Sequence, residues 1–230
     1  MTATTDLWYH YGRTRAAHDR DVPATFRWTW SQDHGPGPEL LGPITGRVLG
    51  DLGSGAARHA AHLAARHAPA CVDAIDASPA QHELATGLYA HLAPHLRLLQ
   101  ADVIKHLRAN PGTYDVLYSV FGAVCFTDPH ELLPAARHAL RPGGRLVFST
   151  LAHYLTGAPA PADITPADIG ARTPDGEKTT MRRWVLQEHT WVKALDQAGF
   201  TAIEADVVPD STEGPRSADT LLVHARAGAE

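Results

Sequence analysis

Residues 47–57 read Arg-Val-Leu-Gly-Asp-Leu-Gly-Ser-Gly-Ala-Ala: an apolar run ends in an acid, turns on two glycines and enters an alanine-rich stretch. Val48 to Leu52 has the make-up of a buried strand, with Asp51 near its tip. Gly53 and Gly55 carry no Cβ, so the backbone there can turn sharply and come close to a ligand. Residues 56–65 are strong helix formers, which places a helix N-terminus and its free N–H groups directly after the turn. Strand, glycine turn and helix in this order predict a nucleotide-type binding turn in a parallel sheet. A tight connection without a ligand has the same local pattern, and no glycine stands at residue 57 or 58, where a dinucleotide fingerprint has its third.

The following segments decide between these readings. Residues 70–76 form a second apolar run ending on Asp76, and Ser78-Pro79 supplies an N-cap and a first helical residue. Residues 96–100 lead into Ala101-Asp102-Val103, and residues 114–120 read as a fourth strand after an Asn110-Pro-Gly turn. Three strands thus end in acids on one edge of a sheet, the edge where open parallel sheets bind ligands. An acid at the second tip can accept from both hydroxyls of a ribose.

Asp51-Leu-Gly-Ser-Gly55, Asp76, Ala101-Asp102, Tyr114-Asp-Val-Leu-Tyr-Ser119 and Leu140-Arg-Pro-Gly-Gly-Arg-Leu-Val-Phe-Ser149 together resemble the class I S-adenosylmethionine-dependent methyltransferases of small-molecule type. The resemblance is close over residues 47–150 and looser beyond. It implies an α/β fold, a doubly wound, seven-stranded, mostly parallel Rossmann-like sheet with an N-terminal helical cap and an insertion after strand 5. It also implies S-adenosylmethionine as cofactor, with Asp51, Gly53, Ser54 and Gly55 at the methionine part, Asp76 on the ribose and Asp102 on the adenine amino group. Ala77, Val103 and Ser119 complete the expected cradle, and Tyr11 is expected on the cofactor carboxylate. Two positions depart from the family pattern: Gly50 replaces a larger apolar residue, and Ala57 replaces a glycine.

The length of 230 residues suits one domain: an N-terminal cap (1–46), a cofactor-binding core (47–150), a lid insertion (151–186), and a C-terminal helix with edge strands (187–230). A net charge of −5 argues against a general nucleic-acid binder. The stretch Ser119-Val-Phe-Gly-Ala-Val-Cys125 also lacks the Asn/Asp-Pro-Pro-Tyr/Phe motif of base-amino methylation and the acidic set of magnesium-dependent catechol enzymes. Cys71 and Cys125 read as buried apolar residues, and the 15 histidines show no metal-ligand spacing, so no metal is expected. No membrane span or signal peptide is apparent, and a cytoplasmic location is expected. Oligomeric state is not specified.

Residues 6–20 are expected to be helical. Phe26, Trp28 and Trp30 alternate with Arg27 and Thr29, while four prolines break up residues 151–178. That insertion is expected to be structureless, with too few apolar residues for a core of its own. Both segments can reach the ligand edge, so Trp28, Trp30, Phe121 and Phe126 are candidate walls for a small, partly aromatic acceptor; the tryptophans equally suit packing a helix onto the sheet. His153, just past the fifth strand, is the candidate catalytic base or a substrate contact. His130 is either a substrate contact or a surface residue. Residues 188–197 read as a helix stopped by Gly199, and residues 201–208 and 219–225 as an antiparallel edge hairpin. The excess of alanine, arginine, proline and histidine suggests a GC-rich source genome, and the expected setting of the methylation is bacterial specialised metabolism. Two alternatives stand beside catalysis of methyl transfer: a non-catalytic S-adenosylmethionine-binding partner, and an NAD(P)-dependent oxidoreductase, for which no Tyr-x-x-x-Lys is present.

Overall fold

The computed structural model describes residues 5–13, 20–211, 214 and 217–228. Among the described residues, nine strands form two sheets. Strands β1 (Val48–Leu52), β2 (Cys71–Asp76), β3 (Leu96–Gln100), β4 (Tyr114–Val120) and β5 (Leu140–Leu151) are mutually parallel. β9 (Thr220–Ala227) runs antiparallel between β5 and β8 (Phe200–Val208), giving the order β3-β2-β1-β4-β5-β9-β8. The order reverses between β1 and β4, so the crevice beyond their carboxyl ends is the topological switch point where such sheets bind ligands.

Helices cover both faces because β1, β2 and β4 are apolar on both sides. On one face, α3 (Val103–Ala109), α4 (Pro129–Ala139) and α5 (Glu188–Gln197) share a core that includes Leu107, Leu133 and Trp191. On the other, α1 (Arg58–Arg66) and α2 (Pro79–Tyr89) pack with Phe26, Trp28 and Leu41. No described helix is long and apolar enough to cross a membrane.

The unusual Gly50 has a steric reason. A Cβ there would lie 2.6 Å from Leu117 Cδ2 and 3.2 Å from the Tyr114 ring. That space lets the Tyr114 hydroxyl donate to buried Asp73 at 2.8 Å, while Arg97 grips the same carboxylate at 2.5 and 2.7 Å. His106 Nε2 lies 2.6 Å from the Tyr114 oxygen, whose own proton is committed to Asp73, so the imidazole donates. β2, β3, β4 and α3 are thereby tied together at a single buried charge.

Three expectations are corrected. Residues 7–12 form hydrogen-bonded turns such as Tyr11 N–H to Trp8 O, not the first turns of a helix; residues 14–19 of the expected helix lie outside the described residues. The insertion is not structureless: β6 (Ala167–Arg172) and β7 (Lys178–Arg183) form an antiparallel hairpin around Thr173-Pro-Asp-Gly-Glu177. It also has a small core, in which Leu151, Ala160, Val185 and Ala218 pack with Trp30, Phe121, Tyr154 and Leu155. Thr190 Oγ1 and Gln187 Nε2 pin it by donating to Ala162 O and Ala160 O.

Candidate active site

The glycine turn is held from beneath. The N–H groups of Gly53 and Ser54 both donate to Ile75 O, which fixes the turn against the tip of β2. Gly53 (φ +75°) and Gly55 (φ +53°) are left-handed, and Ala57 adopts φ +58° where the family pattern has a glycine. Left-handed alanine is strained by about 1–2 kcal/mol, so this chain keeps the turn at some cost. Asp76 accepts from Gly55 N–H at 2.8 Å and Ser78 N–H at 2.9 Å, which puts its carboxylate beside the turn. Ser78 caps α2 by accepting from Gln81 N–H, and Asp102 caps α3 by accepting from Lys105 N–H. Ala77 and Asp102 are exposed beside these caps, whereas Val103 is buried under the second.

The N-terminal segment lies on this cradle. Asp6 Oδ2 accepts from Ser78 Oγ at 2.8 Å and Ala80 N–H at 3.1 Å, an anion at the positive end of α2. Gln81 Nε2 donates to both Trp8 O and Tyr11 O at 2.9 Å. The Trp8 ring then meets Phe126 edge-on at 4.6 Å. Tyr11 joins through its carbonyl; its ring is 62% exposed. His10 Nε2 bonds Thr173 O in the β6–β7 turn, so the N-terminal segment and the insertion touch.

Two buried acceptors around the turn have no partner, Asp51 Oδ2 and Gln81 Oε1. Burial pushes the Asp51 carboxyl up to about 8, with the Asp76 charge adding to the effect; the Tyr118 hydroxyl beside it opposes the shift but lacks hydrogen-bond geometry. Asp76 is likewise raised by burial, against the pull of Ser78 and Gly55 N–H.

Residues 49–144 match the family model for a methyltransferase domain. The matched stretch runs from β1 into β5 and includes the glycine turn, Asp76 and Asp102. A ubiquinone biosynthesis O-methyltransferase from Serratia proteamaculans is 29% identical over 117 residues, 49% of this chain, and this chain covers 46% of that protein's length. An S-adenosylmethionine-dependent methyltransferase structure from Mesorhizobium loti superposes with a TM-score of 0.60 at 24% identity, over 81% of this chain and 94% of that one. A Burkholderia thailandensis 1,6-didemethyltoxoflavin-N1-methyltransferase, solved with 1,6-didemethyltoxoflavin and S-adenosylhomocysteine, gives a TM-score of 0.54 at 18% identity, over 80% of this chain and 72% of that one. The likeness to these structures shows the fold, the Rossmann-like sheet of such methyltransferases, and the proteins it links this chain to use S-adenosylmethionine.

The cradle fits that cofactor chemically. Its ammonium and ribose hydroxyls are donors, and Asp51, Gln81 and Asp76 present acceptors around the glycine turn. Without cofactor, the buried Asp51 is expected to tune stability. An unfolded chain loses this proton near the ordinary carboxylate range and the folded one near 8, so the folded state weakens as pH rises between them. Asp51→Asn is expected to flatten that fall, gaining stability over the parent more at about pH 8 than at about pH 5 in urea denaturation. An equal difference at both pH values would show that Asp51 is charged in the free protein.

The remaining site candidates are placed differently from one another. Ser119 is fully buried, and its hydroxyl donates to Leu52 O at 2.7 Å, locking β4 to β1 rather than facing a ligand. Trp28 is a core residue: fully buried, donating to Gly37 O and packed near Phe26 and Tyr118, it cannot line an acceptor pocket. Trp30 escapes the core because a turn from Thr29 O to Gln32 N–H ends the extended run. Its ring meets Phe121 at 5.1 Å, and Phe121 is held at φ +49°, a strained conformation for an aromatic residue. His130 is exposed on the first turn of α4. His153 has both nitrogens occupied: Nδ1 lies 3.0 Å from Tyr154 O, and Nε2 accepts from Asp219 N–H at 3.2 Å. Its free lone pair is therefore used to join the insertion to β9.

Sequence reasoning missed Asp6, Gln81 and Arg183. Arg183 ends β7 at 7% exposure, its guanidinium 5.6 Å from the Trp30 ring centre and 5.4 Å from that of Phe126. Burial raises the Cys125 thiol beside it, and the guanidinium opposes that shift. Pro174-Asp-Gly176, a strong turn sequence, could have revealed the hairpin that carries it. Among the described residues, no group of three or more His, Cys, Asp or Glu could hold a metal.

Proposed function

We propose that this chain methylates a small, partly aromatic molecule using S-adenosylmethionine, in bacterial specialised metabolism and in the cytoplasm. The observation that carries the reading is the Asp76 carboxylate bonded to Gly55 N–H at the switch point, poised to trade backbone donors for ribose hydroxyls. When bound, the cofactor supplies an electrophilic methyl group for in-line displacement, leaving S-adenosylhomocysteine. The protein's part is alignment and exclusion of water. Gly53, Ser54 and Gly55 fix the turn, while Trp8 on one side and Trp30 with Phe121 on the other wall the crevice beyond β4. With both nitrogens engaged, His153 serves as the hinge post of the insertion and not as the base. The Burkholderia relative, with its small bound acceptor, favours the same substrate scale.

Asp76→Ala is expected to weaken S-adenosylmethionine binding by about 1.5–3 kcal/mol, roughly ten- to 150-fold, as measured by calorimetry. Undiminished affinity in this variant would remove the ribose assignment. Turnover against a metabolite panel then separates an enzyme from a silent cofactor-binding partner.

A further inference from the structure

Arg183 is a buried cation without a counter-charge. Its Nε is inaccessible and has no hydrogen-bond partner, and no carboxylate among the described residues pairs with it. The rings of Trp30 and Phe126 flank the guanidinium, and two such contacts offset only part of the loss of hydration. Its position is also informative. Trp184 N–H donates to Cys125 O at 2.8 Å, which seats the end of β7 against the loop that follows β4, at the carboxyl edge of the sheet. Arg183 sits beside Cys125 and Tyr154 and makes no bond to Asp51, Asp76 or Gln81, the residues that face the cofactor.

We propose that Arg183 receives an oxyanion carried by the acceptor, a carboxylate or a phosphate, while Trp30, Phe121 and Phe126 enclose the acceptor's ring. The planar fork of guanidinium suits two parallel bonds to such a group, and burial makes them strong. An anion fixed there supplies the missing counter-charge and orients the acceptor towards the methyl group. The proposal rests on the methyltransferase reading and narrows its substrate class.

Calorimetric titration of the S-adenosylhomocysteine-loaded protein with benzoate, phenyl phosphate and benzamide tests it. At least one anion is expected to bind about tenfold more tightly than benzamide. Arg183→Met should abolish that preference and leave S-adenosylhomocysteine affinity unchanged, with Arg183→Lys recovering part of it. Equal binding of anions and benzamide, or binding of none, overturns the proposal. So does an Arg183→Met protein whose S-adenosylhomocysteine affinity falls as far as its anion affinity, because the guanidinium would then serve the cofactor. Should Arg183→Met not fold, the anion preference of the parent and its partial reduction in Arg183→Lys decide. Failure of the parent to bind S-adenosylhomocysteine would count against the function itself; the same titrations on the free protein would then judge Arg183 alone.

Discussion

Gly53→Ala is expected to cost about 2–5 kcal/mol of stability and to abolish measurable cofactor binding. A Cβ at this position would lie 2.2 Å from Ala123 N and 2.9 Å from Gly122 C. These are backbone atoms of the loop after β4, so no side-chain rotation relieves the clash, and φ +75° adds left-handed strain. Gly46→Ala isolates the strain: its φ is +70°, but nothing lies within 4 Å of the added carbon. That variant should lose only about 1–2 kcal/mol and bind cofactor normally. Urea denaturation and calorimetry on the two proteins give the comparison, and equal losses would refute the interlocking of the loops.

The second large effect concerns Arg97. Asp73 is 1% exposed, so replacing Arg97 with methionine leaves a buried carboxylate that has only the Tyr114 hydroxyl and a weak thiol contact. Stranding a buried charge in this way costs about 3–5 kcal/mol. The partner side chain is half exposed and loses little by itself. Asp73→Asn together with Arg97→Met is therefore expected to be more stable than Arg97→Met alone, since the charge leaves with its partner. A double variant no better than Arg97→Met, measured by thermal unfolding, would show that Asp73 is not charged in the fold.

Much of the sheet could be read locally. β1, β3 and β4 have the bounds that their apolar runs suggest, and α2 starts at Ser78-Pro79 because an N-cap and a fixed φ are properties of those two residues. The α5 helix ends as Gly199 predicts, with φ +84°. The hairpin of the insertion was obscured because the alternating positions of Ala-Asp-Ile-Gly-Ala-Arg are small, with Ile169 alone strongly apolar, even though Pro174-Asp-Gly176 marks its turn. Trp28 and Trp30 look equivalent in an alternating run, and only the turn at residues 29–32 separates core from crevice. The partners of His153 and Arg183 lie far away in the chain, at Asp219 and at Trp30 and Phe126. No periodicity encodes such meetings.

The fit between the two glycine loops bears on how a protein of this kind could change its substrate. A Cβ on Gly122 would lie 2.5 Å from both Gly53 O and Leu52 O, and the Ser119 hydroxyl ties the ends of β4 and β1 from which the two loops spring. The floor of the crevice is therefore a single rigid piece. It cannot be widened by sliding one loop away from the other without disturbing the glycine turn. The roof is made differently, from residues 5–13 and the β6–β7 hairpin, which meet at His10 and Thr173. Under the proposed function, acceptor preference would be rewritten from above, by exchanging roof segments as grafts, while the machinery below keeps its single geometry.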